Sequence, residues 1–296
     1  MPRPAKTREI KNHHMDSTRW NGFDFRDDDI IIATYGKSGT TWAQQIVGQL
    51  LFDGADNVDI HELSPWLDLR IRPLDERLAM LAAQSHRRVV KTHLPLDALV
   101  FSEKAKYLYV ARDARDVVWS LYNHHLNMKP EFYELLNGTP GLVGPPIEPP
   151  SGDVVAYFRE WVERDGFPYF SWWENVRTWW AARNEPNVRL VHFEDLRRDL
   201  AGEIQGIAEF LRIPVDTKNW DRIVEHCTFD WMKLNADRTA PGGGALWKGG
   251  GSTFINKGTN GRWRNLLTVE DSARYDNRAI AELGEECARW LAHGRP

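Results

Sequence analysis

The sequence predicts a single α/β domain, a central parallel sheet flanked by helices, with a P-loop-like strand-loop-helix near its start. Three observations carry this. Short apolar runs recur at Ile30-Ile31-Ile32-Ala33-Thr34, Arg88-Val89-Val90-Lys91-Thr92, Tyr107-Leu108-Tyr109-Val110-Ala111 and Val188-Arg189-Leu190-Val191, as strands buried on both faces do. Helical spacing lies between them, at Asp116 to Tyr122 and in the tryptophan-rich stretch Trp172 to Arg183, and strands alternating with helices form parallel sheets covered on both sides. The first run closes on Tyr35-Gly36 and passes through a Gly/Ser/Thr turn into a helix expected to start at Thr40 or Thr41. In such a sheet, ligands gather at the carboxyl ends of the strands.

Composition sets the outer bounds. The chain has 296 residues, 42 % hydrophobic and 27 % charged, which is enough to build a full core. A net charge of −4 and a pI near 6.2 give no bulk attraction to nucleic acid or to an anionic membrane, so an anionic ligand must be held by local lysines and arginines. No apolar stretch is long enough to cross a bilayer and the N-terminus lacks a secretory apolar core, so a cytoplasmic location is expected. Cys227 and Cys287 are the only cysteines and have no zinc spacing; buried reduced thiols and no metal site are expected.

Residues 1–20 are polar and basic without sustained periodicity and read as a loosely ordered N-terminal arm, leaving 21–296 as the domain. The doublets Trp172-Trp173 and Trp179-Trp180 recur seven apart and mark one helix face, read as core. Gly138 to Pro150, and the triplets Gly242-Gly243-Gly244 and Gly249-Gly250-Gly251, read as long loops that serve either as lids or as plain connections.

Lys37-Ser38-Gly39-Thr40-Thr41-Trp42 sits between the first strand and its helix. Successive backbone N–H groups at the helix start, the positive end of the helix dipole, the Lys37 amine and the hydroxyls of Ser38, Thr40 and Thr41 make a phosphate or sulfate the natural guest. A Walker A loop would need glycine five residues before Gly36, where Ile31 stands inside the strand, so ATP or GTP with magnesium is disfavoured.

This hexapeptide resembles the loop that binds the 5′-phosphosulfate in the cytosolic-type sulfotransferases that use 3′-phosphoadenosine 5′-phosphosulfate (PAPS), although that family usually has proline at the place of Gly36. The similarity runs from Ile30 to Leu291. Lys91-Thr92-His93-Leu94-Pro95 resembles the segment of the family's catalytic histidine, and Tyr109 to Ser120 the segment whose Arg112 and Ser120 hold the 3′-phosphate, with an Arg112 to Asp116 ion pair as the structural alternative. Phe193 stands where the family commonly has tyrosine near the adenine, and Cys227-Thr228-Phe229 resembles the segment packed around the base, which is usually Thr-Ser-Phe. An adenine would fit between Trp42 and Phe229, because aromatic faces hold bases by stacking. Phe254 to Asn265 resembles the family's Arg-Lys-Gly-x-x-Gly-Asp-Trp-Lys-Asn, with Asn256 in place of the arginine and Arg262 in place of the aspartate; Lys257 and Gly258 remain to meet the 3′-phosphate. Arg264 to Val269 leads into a stretch that resembles a short dimerisation motif but has Ala273 where glutamate is expected, so monomer and homodimer both stay open.

The resemblance implies sulfuryl transfer from PAPS to a hydroxyl of a small acceptor, a phenol or alcohol, with release of adenosine 3′,5′-bisphosphate (PAP) and no required metal. It assigns catalysis to His93 as general base and to Lys37 and Lys91 as charge stabilisers, with Ser38 orienting Lys37, and the 5′-phosphate to Gly39, Thr40 and Thr41. The acceptor is expected among Trp66 to Arg72, Leu126 to Tyr133 and the Gly-rich stretch near Trp247. Two alternatives stand beside this: a P-loop small-molecule kinase using ATP, and a non-catalytic protein that binds 3′-phosphoadenosine ligands.

Overall fold

The computed structural model describes residues 3–295. Four strands, β1 (Ile30–Thr34), β2 (Val89–Thr92), β3 (Lys106–Ala111) and β4 (Val188–His192), form one sheet in the order β2-β1-β3-β4. Every pairing is parallel: Ile30 lies opposite Val89 on one side and Lys106 on the other, and Tyr107 lies opposite Val188. All four predicted strands are present, and β1 occupies an interior position, so the turn that follows it opens near the middle of the sheet's carboxyl edge.

Both faces of β1 are covered, which is why its five residues carry no polar face. Ile31 and Ala33 point into a core with Tyr109, Trp172, Trp173 and Trp179, whereas Ile30 and Ile32 pack against Ile46 and Val47 of helix α1 (Thr40–Leu51) and against Ile204 and Ile207. Burying one such side chain contributes roughly 1.5–3 kcal/mol. The tryptophan helix, Trp172–Ala181, thus serves the core, as its seven-residue spacing predicts. Among the described residues, no helix is long and apolar enough to cross a membrane.

The reading of residues 1–20 as a loose arm is corrected for the part described. Met15 and Trp20 are fully buried, Met15 bridges to Leu69, and Arg19 donates to the carbonyls of Leu69 and Arg70. Arg8 is anchored by Asp97 and Glu174. Nothing periodic marks this attachment in the sequence, because it rests on irregularly spaced apolar anchors, Ile10, Met15 and Trp20, and on hydrogen bonds to distant residues.

The Gly-rich stretch is also tied down. Leu246 accepts a hydrogen bond from the Lys129 amide at 3.0 Å, the Lys248 amide donates to Asn127 at 2.8 Å, and Trp247 is buried. Positive φ at Gly242, Gly243, Gly249 and Gly250 lets the chain fold back on either side of that contact.

Candidate active site

The turn after β1 has the shape of an anion cradle. Lys37 (φ 68°) and Gly39 (φ 117°) lie in left-handed backbone regions on either side of Ser38, whose own amide donates to the Tyr35 carbonyl at 3.2 Å while the amides of Gly39, Thr40 and Thr41 have no backbone partner among the described residues. Gly39 is the N-cap of α1 and supplies no side-chain cap, so the first N–H groups of that helix are left for a ligand. A side chain at Gly39 is disfavoured twice, strained by its φ and crowded by Phe193, whose Cδ2 would be 3.0 Å from an added Cβ. Ser38 Oγ is buried without a hydrogen-bond partner, an orphan polar atom beneath the cradle.

His93 follows β2, the strand beside β1, and is held by the end of β1 itself. Its Nδ1 lies 2.8 Å from the Thr34 carbonyl oxygen and 3.0 Å from Thr34 Oγ1, which in turn is 2.6 Å from Thr40 Oγ1. A carbonyl only accepts, so Nδ1 carries the proton and Nε2 keeps the lone pair. Asn175 supports the backbone by donating to the His93 carbonyl at 3.2 Å, and the Trp66 ring meets the imidazole edge-on at 4.6 Å. Burial, aided by Lys91, pushes the His93 pKa well below the usual histidine range, so the ring is neutral at pH 7.

Two lysines line the same space, and neither forms an ion pair among the described residues. Lys37 Nζ lies 3.3 Å from His124 Nδ1 and 4.2 Å from the Phe254 ring centre. Burial, then the charges of Lys91 and Arg112, lower its pKa to about 7. Lys91 stands 4.5 Å from the Trp66 ring centre and is lowered by burial to about 8. Cations whose charge is suppressed by burial mark a place that favours an anion.

Arg112, at the end of β3, donates to Asn260 Oδ1 at 2.9 and 2.6 Å and to the Thr259 carbonyl at 3.1 Å, while its guanidinium covers the Phe193 ring at 4.1 Å. The alternative Arg112 to Asp116 ion pair is not formed: Asp116 accepts from the Gly261 amide at 2.7 Å, and Asp113 is taken by Arg115. The C-terminal signature is therefore closed onto β3 through Asn260. Gly258 (φ 62°) sits so tightly against Phe229 that an added Cβ would lie 2.4 Å from its Cδ2.

These parts surround one cavity of about 920 Å³. Lys37, Gly39, Thr40, Thr41, Trp42, Lys91, His93, Arg112, Ser120, Phe193, Thr228, Phe229, Asn256, Lys257 and Gly258 line it, and Ser38 lies beneath. The Thr228 hydroxyl is already committed, donating to the Glu225 carbonyl at 2.7 Å and capping the Trp231 amide. Trp42 meets Phe193 edge-on at 5.1 Å and is fixed by its Nε1 bond to the Cys227 carbonyl. From the loops expected to form an acceptor room, Trp66, Leu69, Ile71, Arg72, Phe132 and Trp247 reach the cavity.

Sequence reasoning missed His124, Asn260 and a buried relay of imidazoles and phenols that reaches the cavity at His14 and Tyr169. Tyr169 Oη lies 3.1 Å from His125 Nε2 and 3.4 Å from His14 Nε2, and Tyr133 donates to the His125 carbonyl. Burial holds these histidines neutral, His125 at a pKa of about 3. The doublets His13-His14 and His124-His125 are visible in the sequence, but their spacing matches no ligand or catalytic pattern.

A parallel sheet with an uncapped helix start, lysines without ion pairs and a tethered imidazole around one cavity defines a phosphate-loop protein with a cation-lined cavity. Comparison with known proteins narrows the class. The sulfotransferase domain family matches residues 27–285. The chain is 33 % identical to a glycolipid sulfotransferase of Mycobacterium bovis, covering 95 % of this chain and 92 % of that protein, and 30 % identical to human sulfotransferase 1E1, covering 90 % and 88 %. Its fold is similar to retinol dehydratase in complex with retinol and PAP (TM-score 0.70, 25 % identity, 90 % and 84 % covered) and to mouse sulfotransferase SULT7A1 complexed with PAP (TM-score 0.68, 22 % identity, 93 % and 91 % covered). The chain belongs to the sulfotransferase family, the PAPS-dependent class that its phosphate loop resembles. That membership sets aside the ATP-kinase alternative.

Proposed function

We propose that this protein transfers the sulfuryl group of PAPS to a hydroxyl of a small acceptor and releases PAP, without a metal ion. The observation that carries the reading is the pairing, in one cavity, of an unpaired Lys37 on the cradle turn with an imidazole whose Nδ1 is tied to Thr34. The residues fit the donor: the free amides of the α1 start and two depressed lysines all gain from an anion.

PAPS supplies a sulfuryl group on a phosphate leaving group. His93 takes the proton of the acceptor hydroxyl at Nε2, and the Thr34 carbonyl steadies the imidazolium that results through Nδ1–H. Lys37 stabilises the charge that grows on the departing phosphate oxygen, and Lys91 supports the sulfuryl oxygens. Gly39, Thr40 and Thr41 hold the 5′-phosphate through backbone amides and hydroxyls, while Arg112, Ser120, Lys257 and Gly258 serve the 3′-phosphate. Trp42, Phe193 and Phe229 hold the adenine by stacking and edge contacts. Asn256 occupies the place of a family arginine, and Arg262, which also lines the cavity, brings a second positive charge to that end.

The acceptor end is walled by Trp66, Phe132, Trp247 and Phe254 and suits a phenol or lipophilic alcohol. Lipid-linked and isoprenoid hydroxyl compounds belong in the panel as well, because one relative is a glycolipid sulfotransferase and a neighbour was solved with retinol. Turnover of PAPS against an alcohol panel, read by mass spectrometry of the sulfated product, tests the reading. A sulfated acceptor formed with chelator present supports it; PAP and PAPS binding with no turnover on any acceptor would instead leave a non-catalytic nucleotide-binding protein.

A further inference from the structure

His124 lies in the last turn of the Ala114–Leu126 helix and belongs to none of the motifs that nominate the donor site, yet it lines the same cavity and meets Lys37 at 3.3 Å, Nδ1 to Nζ. An ammonium has no lone pair and can only donate, so a charged Lys37 requires an unprotonated Nδ1 on His124. In a neutral ring the proton is then on Nε2. His93 has the reverse arrangement, because its Nδ1 faces a carbonyl. Two imidazoles of opposite tautomer therefore line one cavity: one takes a proton, the other presents one. Burial, reinforced by Lys37, holds the His124 pKa well below the usual histidine range, so the division is in place below pH 7, where Lys37 is charged and His124 is still neutral.

The Nε2 atom of His124 has no hydrogen-bond partner among the described residues, and the ring stands among aromatics, with Trp247 at 5.0 Å and Phe254 at 5.8 Å between centroids. Those rings belong to the apolar group formed with Met128, Phe132 and Ile147. A lone N–H in an apolar wall is selective: a ligand oxygen opposite it is rewarded, and a ligand without one leaves the donor unpaired.

We propose that His124 is a positioning and specificity residue, holding Lys37 through Nδ1 and binding a second acceptor oxygen through Nε2–H. The acceptor then carries an oxygen beside the hydroxyl that is sulfated, as catechols, vicinal diols and sugars do. This rests on the sulfotransfer reading of the cavity. The two nitrogens are separable by substitution: asparagine sets an oxygen near the place of Nδ1, glutamine extends an N–H toward the place of Nε2, and phenylalanine keeps a ring with neither.

Nitrogen NMR of the protein labelled at its histidine nitrogens, at pH 6 where Lys37 is charged, tests the tautomer pair, with signals assigned from His124→Phe and His93→Ala. The expected result is an unprotonated Nδ1 with a protonated Nε2 on His124 and the opposite on His93; a protonated Nδ1 on His124 overturns the assignment. No turnover is needed, so this failure is distinct from failure of the sulfotransfer reading, which would appear as absent PAPS turnover by the wild type. The second arm compares kcat/KM for catechol and phenol. Wild type is expected to favour catechol by about tenfold, a single hydrogen bond's worth. His124→Phe should bring the ratio near one, His124→Gln should restore it, and His124→Asn should recover phenol turnover over phenylalanine without restoring the ratio. An unchanged ratio in His124→Phe overturns the specificity role.

Discussion

Lys37 and Lys91 carry the strongest electrostatic signature of the site, since each is depressed by burial and neither forms an ion pair among the described residues. The sign of the consequence follows directly. In the free site the lysines release protons at about 7 and about 8, and a bound phosphate raises both values. PAP affinity should therefore be fully present below pH 7 and fall as pH rises through 7 to 8, with proton uptake on binding. Calorimetry at pH 8 in two buffers of different ionisation enthalpy measures that uptake; binding that releases protons or strengthens with pH would contradict it. For His93→Ala, general-base magnitudes predict a loss of turnover on the order of a hundredfold or more, with PAP affinity largely kept. That Lys37 and His93 share one cavity was legible in the sequence, because each stands inside a compact motif at the end of a neighbouring strand. The partner of Arg112 was not, since Asn260 lies 148 residues away and only the tertiary fold brings them within 2.6 Å.

Among the elements, β1 and α1 were readable because burial on both faces leaves an unbroken apolar run, and because the Gly39 turn breaks it where the helix starts. Glycine positions offer a test at this scale. Gly258→Ala would place a Cβ 2.4 Å from Phe229 at a positive φ, so it should cost roughly 1–3 kcal/mol of local strain and weaken PAP binding about tenfold or more. Gly22→Ala, with nothing within 4 Å, serves as the control and should leave affinity unchanged. The N-terminal segment was illegible for the opposite reason. Its attachment depends on Trp20, fully buried with its Nε1 donating at 3.1 Å to Asp68, a partner 48 residues away that only the tertiary fold supplies. Trp20→Ala should lower unfolding free energy by roughly 3–5 kcal/mol in urea titration; a change within experimental error would show that the segment contributes nothing to the fold.

Across the whole molecule, the interior position of β1 gathers groups from distant parts of the chain at one edge of the sheet: the cradle, the imidazole after β2, the guanidinium after β3 and the C-terminal signature. Parallel topology makes this possible, since every strand delivers its carboxyl end to the same side. A crystal structure of the protein grown with PAP and chelator tests the account most directly. The prediction is that the 5′-phosphate is bound by the amides of Gly39, Thr40 and Thr41 with Lys37 Nζ in contact, and that His93 Nε2 faces the same end of the nucleotide. PAP bound with its 5′-phosphate away from that turn, or with His93 directed elsewhere, would contradict the central claim.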